Sequence, residues 1–212
     1  MPSIRAVLFD FGGVFTASPF GALESLGEKL GTNPELLMEV VFGPYHEDTD
    51  HPWHRLERGE ITLVAAREEI LALGAERGIE ADPLRIFGAL GGSAARTTLI
   101  ARVRELRGAG LRTAMITNNA HEFREAWRRM IPVDELFELV VDSSEVGIRK
   151  PDPRIFQLTL ERLGGIAPEE ALFLDDYASN VEAAEGLGIR GVLVEPDPSA
   201  ALAALDALLQ EA

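Results

Sequence analysis

The sequence predicts an α/β fold: a doubly wound, Rossmann-like parallel sheet with a small helical cap inserted after the first strand. Three observations carry that expectation. Short, continuous apolar runs of strand length alternate with segments of helical periodicity, as in a parallel sheet covered on both faces. Two of those runs stop in acid, at Asp10 and at Asp175-Asp176, which suggests carboxylates meeting at one edge of the sheet. From Thr16 to Gly92 the rhythm changes, and the chain reads as helices without convincing strands.

The first strand is Ala6–Phe9, four apolar residues that end at Asp10 and then Gly12-Gly13. The cap follows, with helices expected at Phe20–Leu30, Pro34–Phe42, Thr62–Arg77 and Pro83–Leu90. A polar, aromatic-rich stretch from Gly43 to His54 reads as a loop between the second and third of these. Gly91-Gly92 marks the return, so residues 1–15 and 93–212 are assigned to the core and residues 16–92 to the cap. Four further strands are expected at Thr113–Ile116, Leu139–Val141, Leu172–Leu174 and Gly191–Val194. Helices are expected at Thr97–Arg107, Glu122–Met130, Arg154–Leu163, Asn180–Leu187 and Ser199–Leu209. The helix after Lys150 is well marked, with Asp152 as N-cap and Pro153 in the first turn.

Bulk properties narrow the function. The 212 residues, 46% of them hydrophobic, suit one sizeable core with a small subdomain. A formal net charge of −15 argues against a nucleic-acid partner, since phosphate backbones need a basic surface. There is no cysteine, which excludes disulfides, thiolate metal sites and a cysteine nucleophile. No apolar run approaches the roughly 18–20 residues that span a membrane, and Asp10 interrupts the only candidate signal stretch. The expectation is a soluble, cytoplasmic protein with no membrane partner; sequence does not choose between monomer and homodimer.

All strands of a parallel sheet end at the same edge, where ligands bind beyond the carboxyl ends. That edge would gather Asp10, Thr117, Asn118, Asp175 and Asp176, with Lys150 in a loop nearby. Carboxylate oxygens suit Mg²⁺, often held by one or two carboxylates together with substrate phosphate. Thr117, Asn118 and Lys150 suit the remaining phosphate oxygens. Such a set can perform nucleophilic phosphoryl transfer, the metal neutralising the phosphate while a carboxylate attacks and forms an aspartyl-phosphate. Lys150 would compensate the charge shared by phosphate and carboxylate.

Four segments in order resemble the motifs of the haloacid dehalogenase-like (HAD) hydrolase superfamily. They are Val7–Val14 (VLFDFGGV), Ala114–Asn119 (AMITNN), Gly147–Phe156 (GIRKPDPRIF) and Phe173–Gly188 (FLDDYASNVEAAEGLG). The position of the lid resembles the helical-cap branch. Asp-Phe-Gly-Gly-Val most resembles phosphatases related to the N-terminal domain of soluble epoxide hydrolases. The resemblance implies Asp10 as nucleophile and metal ligand, with Gly12 offering a backbone carbonyl to the metal. It implies phosphate contacts from Thr117, Asn118 and Lys150. Asp176 would be a direct metal ligand, Asp175 a neighbouring or water-mediated one, and Asn180 a residue reaching a metal-bound water or capping its helix.

One departure bears on mechanism. In the phosphatases that the chain resembles, the residue two after the nucleophile is an Asp that serves as general acid and base; here it is Gly12. General acid–base catalysis contributes roughly 10²–10⁴-fold, so slow turnover, a preference for good leaving groups, or a substitute acid from the lid is expected. His46, His51 and His54 are candidates for that substitute, each also readable as a structural or surface histidine. Trp53 and Phe20 suit packing inside the lid better than a pocket wall.

The function expected is a Mg²⁺-dependent phosphatase of a small phosphorylated metabolite. One alternative is a phosphate-binding or regulatory relative of low turnover. The other is a metal-independent 2-haloacid dehalogenase, disfavoured because such enzymes generally lack the acidic pair kept here at Asp175-Asp176. A lipid-like phosphate would want a wide apolar cleft and a sugar phosphate a polar closed one; composition does not choose.

Overall fold

The computed structural model describes residues 3–21, 23, 27, 31–89 and 96–211. Five parallel strands form one sheet in the order β3-β2-β1-β4-β5. They are β1 (Ala6–Phe9), β2 (Arg112–Thr117), β3 (Leu139–Asp142), β4 (Ala171–Asp175) and β5 (Arg190–Leu193). Register aligns Phe9 with Met115 on one side and with Leu174 on the other. The chain winds outward from β1 through β2 to β3, then returns to the other side of β1 as β4. The switch of direction therefore lies between β1 and β4, where the carboxyl ends of neighbouring strands open a crevice.

Alternation along each strand divides the core in two. Val7, Phe9, Met115, Leu172 and Leu174 pack on one face of the sheet, together with Phe15, Phe137 and Leu205. Ala6, Leu8, Ala114, Ile116 and Phe173 pack on the other, against Ile155, Phe156 and Leu160. All four residues of β1 are fully buried, which is why no polar residue interrupts that run.

Helices cover the sheet much as the periodicity predicts. The cap carries α1 (Pro34–Phe42), α2 (Pro52–Glu57), α3 (Leu63–Glu76) and α4 (Pro83–Ala89). The core carries α5 (Thr97–Gly108), α6 (Arg124–Arg128), α7 (Val133–Leu136), α8 (Ser143–Val146), α9 (Pro153–Arg162), α10 (Ala178–Glu185) and α11 (Ser199–Gln210). Asp152 caps α9 through the Arg154 amide at 2.9 Å, with Pro153 in the first turn, as its sequence indicates.

Some expectations change. The Gly43–His54 stretch is not all loop, because its last residues begin α2. Pro52 opens that helix and the His51 imidazole accepts from the Trp53 amide at 3.1 Å. Six residues are too few to declare a helical period. The helix expected at Glu122–Met130 is broken into a 3₁₀ turn at His121–Phe123 and the short α6. The expected helix Phe20–Leu30 begins at Pro19, and most of it, like Gly91-Gly92, lies outside the described residues.

The cap has an apolar cluster of its own, in which Leu37, Val41, Phe42, Trp53, Leu56 and Ile70 pack together. Ala120, Phe123 and Tyr177 of the core close it from below. Among the described residues no helix is long and apolar enough to cross a membrane.

Candidate active site

The first loop is shaped by one glycine. Asp10 extends the sheet by one residue, its amide donating to the Leu174 carbonyl at 2.8 Å. The chain then turns at once, closed by the Phe15 amide on the Phe11 carbonyl at 2.9 Å. Gly13 has φ +70°, in the region that favours glycine, and a Cβ there would collide with the Asp176 carboxylate. Gly13 thus lets the β1 loop approach the acidic pair that follows β4. Gly12 has open space, the nearest atoms to a Cβ being Pro19 Cδ at 3.9 Å and Asp10 Oδ2 at 4.0 Å.

Oxygens of Asp10, Asp175 and Asp176 lie within 4.8 Å of one another. Lys150 joins two of them: its buried Nζ is 2.7 Å from Asp10 Oδ1 and 2.6 Å from Asp175 Oδ2. Asp175 is fully buried and its oxygens are engaged. Oδ1 accepts from the Tyr177 amide at 2.8 Å, and the Asn180 amide group reaches both oxygens at 3.2 and 3.1 Å. Asn180 is thereby a brace for Asp175.

The electrostatics follow from three carboxylates facing one ammonium. Burial, then Asp175 and Asp176, push the Asp10 carboxyl up to about 8 against the pull of Lys150. Burial and Asp175 raise Asp176 to about 6. Burial opposes the charge on Lys150, but Asp10 and Asp175 outweigh it and raise its pKa. The cluster is short of positive charge, which suits a hard cation held by oxygen ligands.

Asn118 works through Lys150. Its Oδ1 accepts from the Lys150 amide at 2.8 Å and its Nδ2 donates to the Lys150 carbonyl at 2.9 Å. The side chain thus fixes the loop that delivers the ammonium. The Lys150–Pro151 peptide in that loop is cis.

Two cavities meet here. A chamber of about 60 Å³ is bordered by Asp10, Gly12, Lys150, Asp176 and Asn180 on its charged side. Asp175 lies beneath it and does not border it. Beside it opens a cavity of about 340 Å³, walled by Phe11, Phe42, Trp53, Phe123, Trp127 and Met130. Thr117 borders this larger cavity and not the chamber. Phe20 and Trp53 pack within the lid, and they also form pocket wall.

The lid histidines lie elsewhere. His46 is exposed beside Glu47, 3.9 Å away. His51 caps α2, and burial lowers its pKa. His54 is fully buried, its Nδ1 accepting from the Thr49 amide at 3.0 Å, and burial lowers its pKa to about 2. None of the three borders the chamber or the aromatic cavity, so the expectation of a histidine as substitute acid is corrected.

A buried network that the sequence reading overlooked joins lid to core. Arg149, next to Lys150, is fully buried and its Nε donates to Glu57 Oε2 at 2.7 Å. Glu57 Oε1 accepts from the Tyr45 hydroxyl at 2.9 Å and from the Trp53 indole at 2.8 Å. The Tyr45 hydroxyl is 3.4 Å from Asn118 Nδ2, so the network ends at the site. No local signal marks Glu57, which stands between Leu56 and Arg58 in a helix of six residues, too short to show its buried face.

Comparison with known proteins is decisive on family: residues 4–188 match the haloacid dehalogenase-like hydrolases. The chain belongs to this family. Among the proteins it resembles in sequence, acyl-CoA dehydrogenase family member 10 of Mus musculus is 37% identical over 98% of the chain. Bifunctional epoxide hydrolase 2 of Rattus norvegicus is 27% identical over 93% of it. The chain spans only 19% and 38% of the lengths of these two. The sesquiterpene phosphatase astK of Aspergillus oryzae is 29% identical, over 90% of the chain and 89% of its own length. A solved HAD family enzyme of Bacteroides thetaiotaomicron, in complex with magnesium and inorganic phosphate, has the same fold. It superposes with a TM-score of 0.63 at 22% identity, over 92% of the chain and 96% of its own.

Proposed function

We propose that the chain is a Mg²⁺-dependent phosphomonoesterase that acts through an aspartyl-phosphate on Asp10 and prefers esters of apolar alcohols. The observation that carries this reading is adjacency. A small charged chamber built on Asp10 and Lys150 opens directly into a larger aromatic cavity. A phosphoryl group suits the first and an apolar leaving group the second. Relatives support it: one of similar length is a phosphatase by name, and one HAD family enzyme is known with magnesium and phosphate.

Asp10, Asp176 and the Gly12 carbonyl would hold Mg²⁺, with Asp175 behind them. Gly13 fits this use, since a Cβ there would fill the space the Asp176 carboxylate occupies. Once bound, the ion would neutralise the dianionic ester so that a carboxylate can approach it.

The chain's own residues supply the rest. Lys150, on Asp10 Oδ1, holds the nucleophile in one orientation and favours its ionised form against the burial that raises its pKa. An Asp10 oxygen attacks phosphorus while the ester oxygen departs toward the aromatic cavity. Lys150 compensates the charge that develops on phosphate. Water then attacks phosphorus, releasing phosphate and restoring the Asp10 carboxylate. The partner in this reading is a small phosphorylated metabolite, with no nucleic acid and no membrane. A second reading, a phosphate-binding relative of low turnover, is favoured by Gly12 alone.

Phosphate release from 4-nitrophenyl phosphate, with Mg²⁺ and with chelator, tests the reaction. Release should require both the metal and Asp10, so Asp10→Asn should abolish it while leaving the unfolding transition in place. Full activity in Asp10→Asn would sink the mechanism, and no release from wild type would favour the binding relative. For substrate class, each buried methylene contributes about 0.8 kcal/mol. Hexyl phosphate should therefore exceed ethyl phosphate by about 10²-fold in kcat/KM. Equal values would refute the apolar assignment.

A further inference from the structure

Among the described residues, five border both the charged chamber and the aromatic cavity: Gly12, Pro19, Phe20, Tyr45 and Asn118. If phosphate occupies the chamber and the alcohol the cavity, the ester oxygen between them lies against these five. Gly12, Pro19 and Phe20 have no side-chain proton to give. Asn118 is an amide, not an acid, and it is engaged with the backbone of Lys150. We propose that the Tyr45 hydroxyl, supplied by the cap, gives the leaving oxygen the proton that Gly12 cannot. The proposal rests on the phosphomonoesterase reading above and adds a catalytic residue to it.

Its surroundings prepare Tyr45 for that task. The hydroxyl donates to Glu57 Oε1 at 2.9 Å and receives Asn118 Nδ2 at 3.4 Å. The Arg149 guanidinium lies over the ring, 4.7 Å from its centre. His54 lies at 6.1 Å between ring centres and Tyr177 at 5.1 Å, and Asp10, Lys150 and Asp176 border the same chamber as Tyr45. Burial first, then Glu57, hold its pKa well above the usual phenol range, so the proton is present throughout the neutral range. A negative oxygen forming on the substrate competes with Glu57 for that proton. Arg149 and the Asn118 amide would then face the phenolate left behind.

The proton balance closes over the two steps. In the first, the Asp10–phosphorus bond forms, the phosphorus–ester oxygen bond breaks, and the departing oxygen takes the Tyr45 proton and leaves as the alcohol. In the second, water attacks phosphorus and the Asp10–phosphorus bond breaks. The proton lost by water returns to the Tyr45 phenolate. An alkoxide is a far stronger base than a free phenolate. The departing alkyl oxygen therefore takes the proton once the ester bond has largely broken, even though burial and Glu57 make Tyr45 a weaker acid than a free phenol. A nitrophenolate is a weaker base than tyrosinate and needs no proton.

That asymmetry is the test. Tyr45→Phe keeps the ring and its packing and removes the acid. On hexyl phosphate kcat/KM should fall by roughly 10²-fold or more, the contribution expected of a general acid. On 4-nitrophenyl phosphate it should fall by far less, since that leaving group needs no proton. An equal loss on both esters would make Tyr45 a packing residue, and no loss on hexyl phosphate would exclude it as donor; either overturns the proposal. If wild type releases phosphate from neither ester, the phosphomonoesterase reading fails first and this proposal falls with it. A second measurement keeps the Tyr45 hydroxyl in place. The chain has two tyrosines, so 3-fluorotyrosine replaces only Tyr45 and Tyr177 and keeps both hydroxyls. In a Tyr177→Phe background this more acidic donor should change the hexyl phosphate rate by far more than the aryl rate. Identical rates on hexyl phosphate would overturn the assignment.

Discussion

Replacing Arg149 with Met should destabilise the protein by an amount that its burial fixes. Arg149 is fully buried, with Nε on Glu57 Oε2 at 2.7 Å and Nη1 on the Glu47 carbonyl at 3.0 Å. Met follows the path of the side-chain stem and removes the charge. Glu57, 3% exposed, then keeps its Tyr45 and Trp53 donors on Oε1 and loses the partner of Oε2. Breaking a buried ion pair by removing one partner costs about 3–5 kcal/mol. The surviving hydrogen bonds place this case at the low end, about 3 kcal/mol. In a chain of this size each kcal/mol moves the midpoint by roughly 2–4 °C, so a fall of about 6–12 °C is expected. Glu57→Gln removes the stranded charge and keeps an acceptor for Tyr45 and Trp53. The double variant should therefore melt above Arg149→Met alone. Thermal unfolding followed by circular dichroism reads wild type, both single variants and the double. A midpoint for Arg149→Met within about 2 °C of wild type would refute the buried pair, as would strictly additive losses in the cycle.

Two further outcomes follow from the site and the lid. Gly12 has room for a side chain and a backbone open to any residue, so Gly12→Asp should restore a second proton donor. It should raise turnover of hexyl phosphate by about 10-fold or more, and no gain in a folded variant would show that the introduced carboxyl does not reach the leaving oxygen. His54, held near pKa 2 by burial, Arg149 and His51, is neutral in the folded protein and protonates below about 6.5 when unfolded. Its contribution is complete above that value and is lost as pH falls toward 2, by up to about 1.4 kcal/mol per unit. Asp10 and Asp176, both raised, act oppositely: they bind protons in the folded state above 3.8 and lose stability as pH rises toward 6–8. Comparing wild type with His54→Gln by urea unfolding at about pH 5 and 7 isolates the histidine, and equal slopes would show that it does not titrate on unfolding.

Much of the scaffold is legible in the sequence because its physics is local. Ala6–Phe9 and Leu172–Leu174 are strands buried on both faces, so each is apolar without interruption and each stops where the sheet meets its crevice. Asp10 and Asp175-Asp176 are legible for the same reason. That β1 and β4 are neighbours is given by the sheet order of the structure, and the three carboxylates then share one edge. Lys150 is legible through its motif, though not its hydrogen-bonded tie to Asn118. The broken helix at Glu122–Met130 and the short α2 are not legible, since neither offers three turns of periodicity.

The lid is where sequence reasoning failed on particulars. His46, His51 and His54 draw notice because imidazole titrates near neutrality, yet an exposed turn, a cap position and a buried acceptor account for where they sit. Tyr45, Glu57 and Arg149 draw none. Each looks ordinary in its own segment, and their meaning arises only where the lid closes on the sheet edge.

The sequence by itself determined the family, the parallel core and the carboxylates at its edge, because strand burial and glycine-acid punctuation are written over a few consecutive residues. Only the tertiary structure decided which lid groups border the charged chamber, and that the wall of the adjoining cavity is aromatic. Those facts depend on contacts between residues far apart in the chain, Arg149 with Glu57 and Tyr45 among them, and no local pattern records such a distance.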